Sequence, residues 1–226
     1  METDEEAISR LLPKYVGYAI LSHTWLRTSP GEVTYGDWNK GLFRTMDLGY
    51  QKLAHFCRYG VALAWMDTVC INKDSSSELD ESIRSMYDWY KRAKICIVLL
   101  AESRSIADIR NDGWFTRGWT LQELFAPNAI KFYTRDWKCF APDSTSDKAN
   151  ENIVRQIEMA TGITKDELRR IHNAPISRRM QLAAPRKVTR EEDTAYSLMG
   201  LFDVSISIAY GEGAERAFSR LVQAIL

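Results

Sequence analysis

The sequence predicts an α/β fold, a parallel sheet with helices on both faces, followed by a C-terminal helical extension. Three observations carry this. Short apolar runs without alternation, such as residues 95–100, read as strands covered on both faces. Amphipathic helical stretches separate these runs, the repeating pattern of a parallel sheet. Beyond about residue 145 the apolar spacing becomes helical throughout.

The elements follow in order. Residues 1–14 are a polar lead-in. Tyr18-Ala19-Ile20-Leu21 is a buried strand ending in Ser22-His23-Thr24-Trp25, and residues 28–37, with Pro30 and Gly31, read as loop. Met46, Tyr50, Leu53 and Cys57 recur at helical spacing and predict a helix over 44–59, stopped by Gly60. Residues 63–67 form the next buried strand, ending in Asp67. Ser75 and Glu78 make a capping box for a helix with Leu79, Ile83, Met86, Tyr90 and Ala93 on one face. A strand over 95–100, a short helix over 117–125 stopped by Ala126-Pro127, and a fourth strand over 129–133 complete the sheet. In the extension, Thr164 with Glu167 and Thr189 with Glu192 offer further capping boxes, the second opening a helix that ends near Gly200. The last helix sets Ala214, Phe218, Leu221 and Ile225 on one face and has no stop signal, so the chain reads as a piece of a longer protein. The expected organisation is a lead-in over 1–14, a core over 15–140 and helices over 145–226 packed on that core.

Composition narrows the function classes. Thirty basic residues balance thirty acidic ones among 226, which argues against nucleic-acid binding through bulk charge. Cys57, Cys70, Cys96 and Cys139 form no CxxC pair, and the apolar neighbours of Cys57 and Cys96 predict buried, reduced thiols. The acidic start, METDEEAISR, lacks the pattern of a signal peptide, and no apolar run reaches bilayer length, so a cytoplasmic location is expected. Gly211-Glu-Gly213 lacks a third glycine, there is no Walker A motif, and a metal site would need scattered His and Cys residues to converge.

In sheets of this kind, ligands gather beyond the carboxyl ends of the strands. Those ends carry Ser22 and His23, then Asp67, then the segment after Leu100.

Three blocks resemble the fungal heterokaryon incompatibility (HET) family. They are Tyr18-Ala-Ile-Leu-Ser-His-Thr-Trp25 with Glu32-Val-Thr-Tyr35 and Asp37-Trp38; Trp65-Met-Asp-Thr-Val-Cys-Ile-Asn72 with Trp114-Phe-Thr-Arg-Gly-Trp-Thr-Leu-Gln-Glu-Leu-Phe-Ala-Pro127; and Thr189-Arg-Glu-Glu-Asp-Thr-Ala-Tyr-Ser-Leu198 with Tyr210-Gly-Glu-Gly213. Val69 and Asn72 stand where the family usually shows Cys and Asp, and Leu182 where it often shows Trp. The resemblance implies a trigger of programmed cell death in filamentous fungi, fused to nucleotide-binding and repeat domains that sense non-self. Residues 65–133 also resemble, more distantly, the TIR domains of innate immunity, whose fold is flavodoxin-like. Enzymatic TIR domains cleave NAD with the glutamate of a Trp-x-Leu-x-Glu-Leu segment, and the matching position here is Glu123.

The resemblance therefore implies Glu123 as catalytic residue, NAD as substrate, no further cofactor or metal, and self-association on activation. Ser22, His23, Trp25 and Asp67 would complete the cleft, Trp119 would wall it, and Arg117 would meet a phosphate. Each residue also has a plainer reading: Glu123 as a solvated helix carboxylate, Trp114 and Trp119 as core aromatics, His23 as a structural histidine, Asp67 as a turn cap. The competing function is a non-catalytic adaptor that signals death through oligomerisation and recruitment.

Overall fold

Strand β1 (Tyr18–His23) is the sheet's organising element, since it pairs in parallel with two neighbours. In this computed structural model, which describes residues 17–26, 28, 30–59 and 62–226, the chain continues through α1 (Tyr35–Lys40), α2 (Leu48–Phe56), β2 (Leu63–Trp65), α3 (Asp67–Cys70) and α4 (Ser76–Arg92). Then come β3 (Ile95–Leu99), two 3-10 turns, α5 (Thr120–Phe125) and β4 (Ile130–Tyr133). The remainder is helical: α6 (Glu151–Thr161), α7 (Lys165–Arg170), α8 (Ile176–Ala183), α9 (Asp193–Tyr196), α10 (Met199–Phe202) and α11 (Ala214–Ile225). The expected lead-in over 1–14 and the stop at Gly60 lie outside the described residues.

The sheet order is β2-β1-β3-β4, all parallel, as the α/β reading requires. This is the flavodoxin-like order, and its switch point falls between β1 and β3. Strand alternation distributes the core over both faces. Ile20, Cys96, Val98, Ile130 and Phe132 belong to one buried cluster, which also takes in Tyr90, Trp114, Leu121, Ile153, Ile157, Tyr196 and Leu221. Ala19, Leu21, Ile97, Leu99 and Tyr133 face the other way, onto Leu53 and Phe56 of α2. The helices beyond residue 145 thus share one hydrophobic cluster with a face of the sheet.

Several expectations are corrected. The span 28–37 is not all loop, because Thr34 and Asp37 form a capping box that opens α1. Helix α2 buries Gly49, Lys52, Leu53 and Phe56, so of the predicted stripe only Leu53 is buried; Met46 is 80% exposed and lies before the helix begins. Cys57 is correspondingly exposed, while Cys96 is buried, and all four cysteines are free. β2 is a short edge strand with Leu63 exposed, and Asp67 starts α3 instead of ending a strand. Glu78 does not close the box with Ser75: its carboxylate accepts from the Asn72 N–H at 3.1 Å. Thr164 and Glu167 do form theirs. Thr189 and Glu192 do not; the Glu192 carboxylate accepts from Gly211 N at 2.7 Å and Gly213 N at 3.3 Å. The predicted helix becomes α9 and α10, ended by Asp203 in the left-handed region, with Gly200 inside α10.

Edge strand β4 is closed by a buried ion pair. Lys131 Nζ donates to Asp147 Oδ1 at 2.7 Å, and the other oxygen of Asp147 accepts from Phe132 N at 2.7 Å. The free edge of the strand is thereby covered.

Gly200 lets the extension pack tightly on α4, since a Cβ there would lie 2.1 Å from Tyr87 Cβ. Gly200→Ala forces α10 away from α4 and is expected to destabilise the fold by about 2 kcal/mol or more in urea denaturation. A loss within experimental error of zero would show that this contact is loose.

Candidate functional site

Alternation along β1 sends Ser22 and His23 to opposite faces of the sheet, both at its carboxyl end beside the switch point. Each nucleates a polar network.

On the Ser22 face, the hydroxyl is fully buried, accepts from Trp114 Nε1–H at 2.8 Å and donates to Glu123 Oε2. Trp114 is itself fixed from behind: its N–H donates to Asp112 Oδ1 at 3.1 Å, and the other Asp112 oxygen accepts from Glu102 N and Ser103 Oγ. Glu123 rides on α5, which buries Thr120, Leu121, Gln122, Leu124 and Phe125 and leaves Glu123 the partly exposed position. The start of α5 is anchored by Thr120 Oγ1, within hydrogen-bond reach of the Trp114 and Arg117 carbonyls, and by Arg186, whose Nη1 donates to Arg117 O at 2.8 Å. Gly118 N donates to Lys187 O at 2.8 Å, adding a second tie to the extension.

Burial raises the Glu123 carboxyl most, the Asp67 charge adds to it, and the Ser22 hydrogen bond with the Arg117 charge works against them. The outcome is a carboxyl pushed up to about 7. Tyr90 stands beside it; its hydroxyl donates to Leu21 O at 3.0 Å, and burial together with the Glu123 charge raises that phenol well above its usual value.

On the His23 face, Nε2 lies 3.1 Å from Asp67 Oδ1, and Trp25 Nε1–H donates to Asp67 Oδ2 at 2.9 Å. Lys52 Nζ lies 3.0 Å from His23 Nδ1, ion-pairs with Glu32 and donates to Thr24 O at 3.2 Å. An ammonium only donates, so Nδ1 accepts, and the ring proton falls on Nε2, facing Asp67. Lys73 lies 3.7 Å from Asp67 Oδ2 and 3.6 Å above the Trp25 ring. Burial alone would raise Asp67, but the hydrogen bond from His23, the Lys73 charge and the Trp25 indole hold it at about 2. Burial lowers both Lys52 and Lys73, opposed chiefly by Glu32 and by Asp67 respectively.

Of the residues singled out from the sequence, the structure joins Ser22 with Glu123, and His23 and Trp25 with Asp67. The charges of Asp67 and Arg117 both reach Glu123, which links the two groups. Trp119 is not drawn in: its ring packs against the main core, and its indole favours the anion of the nearby Asp193. Trp114, read as a core aromatic, is both buried and a member of the Ser22 network. Sequence reasoning also missed Tyr90, Lys52, Lys73 and Arg186. Glu32 had a signal, since it opens the Glu32-Val-Thr-Tyr35 block, whereas a lysine within a helical stripe has none.

The family model described as heterokaryon incompatibility protein (HET) matches residues 18–108, which includes Ser22, His23 and Asp67 and ends before Glu123. The vegetative incompatibility protein HET-E-1 of Podospora anserina is 41% identical over 226 residues, spanning 92% of this chain and 16% of that protein. The chain therefore spans about one sixth of the length of this relative. No solved structure matches it. Among the described residues no helix is long and apolar enough to cross a membrane. With its motifs in place and this likeness over nearly the whole chain, the protein belongs to the heterokaryon incompatibility (HET) family.

Proposed function

We propose that this HET domain drives cell death in fungal non-self recognition by cleaving the bond between nicotinamide and ribose in NAD, with Glu123 as the catalytic carboxylate. The observation that carries the reading is Glu123 itself: a carboxyl held by Ser22 at the strand ends, partly open to solvent, and poised near neutrality. The sheet order, with its switch point beside Ser22, supports the TIR-like part of the reading.

In the proposed reaction the C–N bond breaks with its electron pair passing to the pyridinium nitrogen, which neutralises the leaving group. The ribosyl carbon becomes oxocarbenium-like, and the Glu123 anion stabilises that positive charge from a site where water screens it poorly. Water then adds to the sugar carbon and gives its proton to Glu123 or to solvent, yielding nicotinamide and ADP-ribose. Asp67, ionised throughout the neutral range, adds negative potential. Trp25, 43% exposed, offers an aromatic face for a flat ring, and Arg117 a cation for a phosphate.

Self-association, driven by sensor domains in the same or a partner protein, is the proposed switch. It is supported by a half-exposed aromatic stack joining α1 to α2, Trp38 on Phe43 at 5.4 Å and Phe43 on Tyr50 at 5.1 Å, with Leu42 and Met46 exposed beside it. The same surface supports the second reading, an adaptor that signals by assembly without catalysis.

The purified domain is expected to release nicotinamide from NAD at concentrations where it self-associates, and folded Glu123→Gln is expected to lose at least about a thousandfold in kcat. Release that persists in the folded variant would remove Glu123 from the mechanism. Absence of release from an assembled wild-type domain would leave the adaptor.

Because the anion does the work, kcat/KM is expected to rise with pH through a midpoint near 7. Ser22→Ala removes a bond that favours the anion and is expected to move that midpoint upward; an unmoved or lowered midpoint would contradict the assignment.

Stability has the opposite sign. A carboxyl raised from 4.5 to about 7 on folding favours the folded state when protonated, so this contribution is full below 4.5 and is lost as pH rises through 7. Glu123→Gln does not titrate and is expected to melt above the wild type at pH 8, with the gap closing toward acid. A gap that is constant with pH would mean that Glu123 ionises without penalty.

A further inference from the structure

On the flank of the sheet away from the strand ends, the short 3-10 turn Asp147–Ala149 buries two consecutive charged side chains in different ways. Asp147 spends both oxygens on Lys131 and the Phe132 N–H. Lys148, 9% exposed, turns instead to the end of α5 and donates to Phe125 O at 3.0 Å and Pro127 O at 2.6 Å.

Lysine is rarely buried without a counter-ion, and buried charge is normally paired. Lys148 breaks this rule: among the described residues no carboxylate stands within ion-pair distance of it. An ammonium carries three donors, and the two carbonyls use two of them. Lys148 is also one of the residues lining a cavity of about 270 Å³, and Arg169 is a second basic residue in that lining. Phe125, Pro127 and Leu168 give the same cavity an apolar side, and none of its lining residues is acidic. The Arg169 charge also acts on Glu151, but that carboxylate is already ion-paired with Lys165. Burial lowers Lys148 to about 8, in keeping with a cation that lacks its partner.

We propose that this cavity is a binding site for a small phosphate monoester, its dianionic head between Lys148 and Arg169 and its organic part against Phe125, Pro127 and Leu168. A dianion matches two cations where a monocarboxylate would leave one uncompensated, and the Arg169 guanidinium offers a planar fork for two phosphate oxygens. The two carbonyls leave one N–H of Lys148 free for a ligand, so binding would complete its shell without breaking existing bonds. The site is independent of the proposed NAD chemistry, since it shares no residue with the Ser22 and His23 networks.

The test is calorimetric titration of the whole domain with ribose 5-phosphate, with inorganic phosphate and unphosphorylated ribose alongside. Saturable binding of ribose 5-phosphate is expected, weaker binding of inorganic phosphate, and none of ribose. Arg169 is exposed, so Arg169→Ala folds and is expected to weaken binding about tenfold or more. Lys148→Met replaces an unpaired cation by an apolar chain of similar length and is expected to abolish binding. Glu123→Gln is expected to leave it unchanged. The proposal is overturned if ribose 5-phosphate does not bind, if inorganic phosphate binds as tightly, if Arg169→Ala has no effect, or if Glu123→Gln removes the binding.

Discussion

A carboxyl group set against the end of a sheet that is buried on both faces meets an environment that penalises its charge, and everything around Glu123 is arranged around that penalty. The Ser22 hydroxyl returns part of the lost hydration and fixes the direction in which the carboxylate points. Ser22 can do this only because Trp114 donates to it and so decides which way its own proton faces, and Trp114 is held by Asp112. One chain of hydrogen bonds, from the Asp112 turn through an indole and a hydroxyl, orients the one carboxylate. Each link is buried, so removing any of them leaves a donor or acceptor without a partner.

Two carboxylates of the site feel comparable desolvation and end far apart, Asp67 at about 2 and Glu123 at about 7. The difference is their partners. Asp67 has His23, Trp25 and Lys73 around it, all favouring the anion. Glu123 has the Ser22 hydroxyl, weaker support from Tyr90 and Arg117, and the repulsion of Asp67 itself. Environments that separate two acids in this way assign them different tasks, a fixed charge for one and a group that changes its proton for the other. The placement follows from strand geometry: consecutive residues of β1 face opposite sides, so Ser22 and His23 serve different carboxylates from one strand end.

The sheet was legible because most of its strands are apolar runs whose burial needs no tertiary knowledge; the end of β1 then pointed to Ser22 and His23, and Asp67 was reached although it opens α3 just beyond β2. What sequence periodicity could not see was burial of polar side chains. Lys52 disrupts the apolar stripe of α2, yet it faces inward because Glu32 waits there, and the predicted face was shifted by that one residue. Thr189 and Glu192 have the spacing of a cap, but the glycine N–H groups of residues 211 and 213 compete for the same carboxylate and win it. Trp119 illustrates the same limit, since helical spacing placed it near Glu123 while its ring packs against the main core. Local rules give the candidates, and long-range partners choose among them.

The extension is bound up with the site more closely than a covering layer would be. α5 is only six residues long, too short to hold its own geometry, and its first turn carries no side-chain cap. Its position is set from outside by Arg186, which bonds the Arg117 carbonyl and Thr120, and by Lys187, whose carbonyl receives Gly118 N. A Cβ on Gly118 would lie 2.5 Å from Val188, so the two segments touch at backbone distance. Arg186 is a largely desolvated cation lowered to about 10 by burial, and the Glu123 charge is what most supports it. The charged carboxylate therefore strengthens the strut that positions it, and the strut belongs to the helices beyond residue 145. A sheet cut free of those helices would retain Ser22 and Asp67 but lose the geometry that brings Glu123 to them.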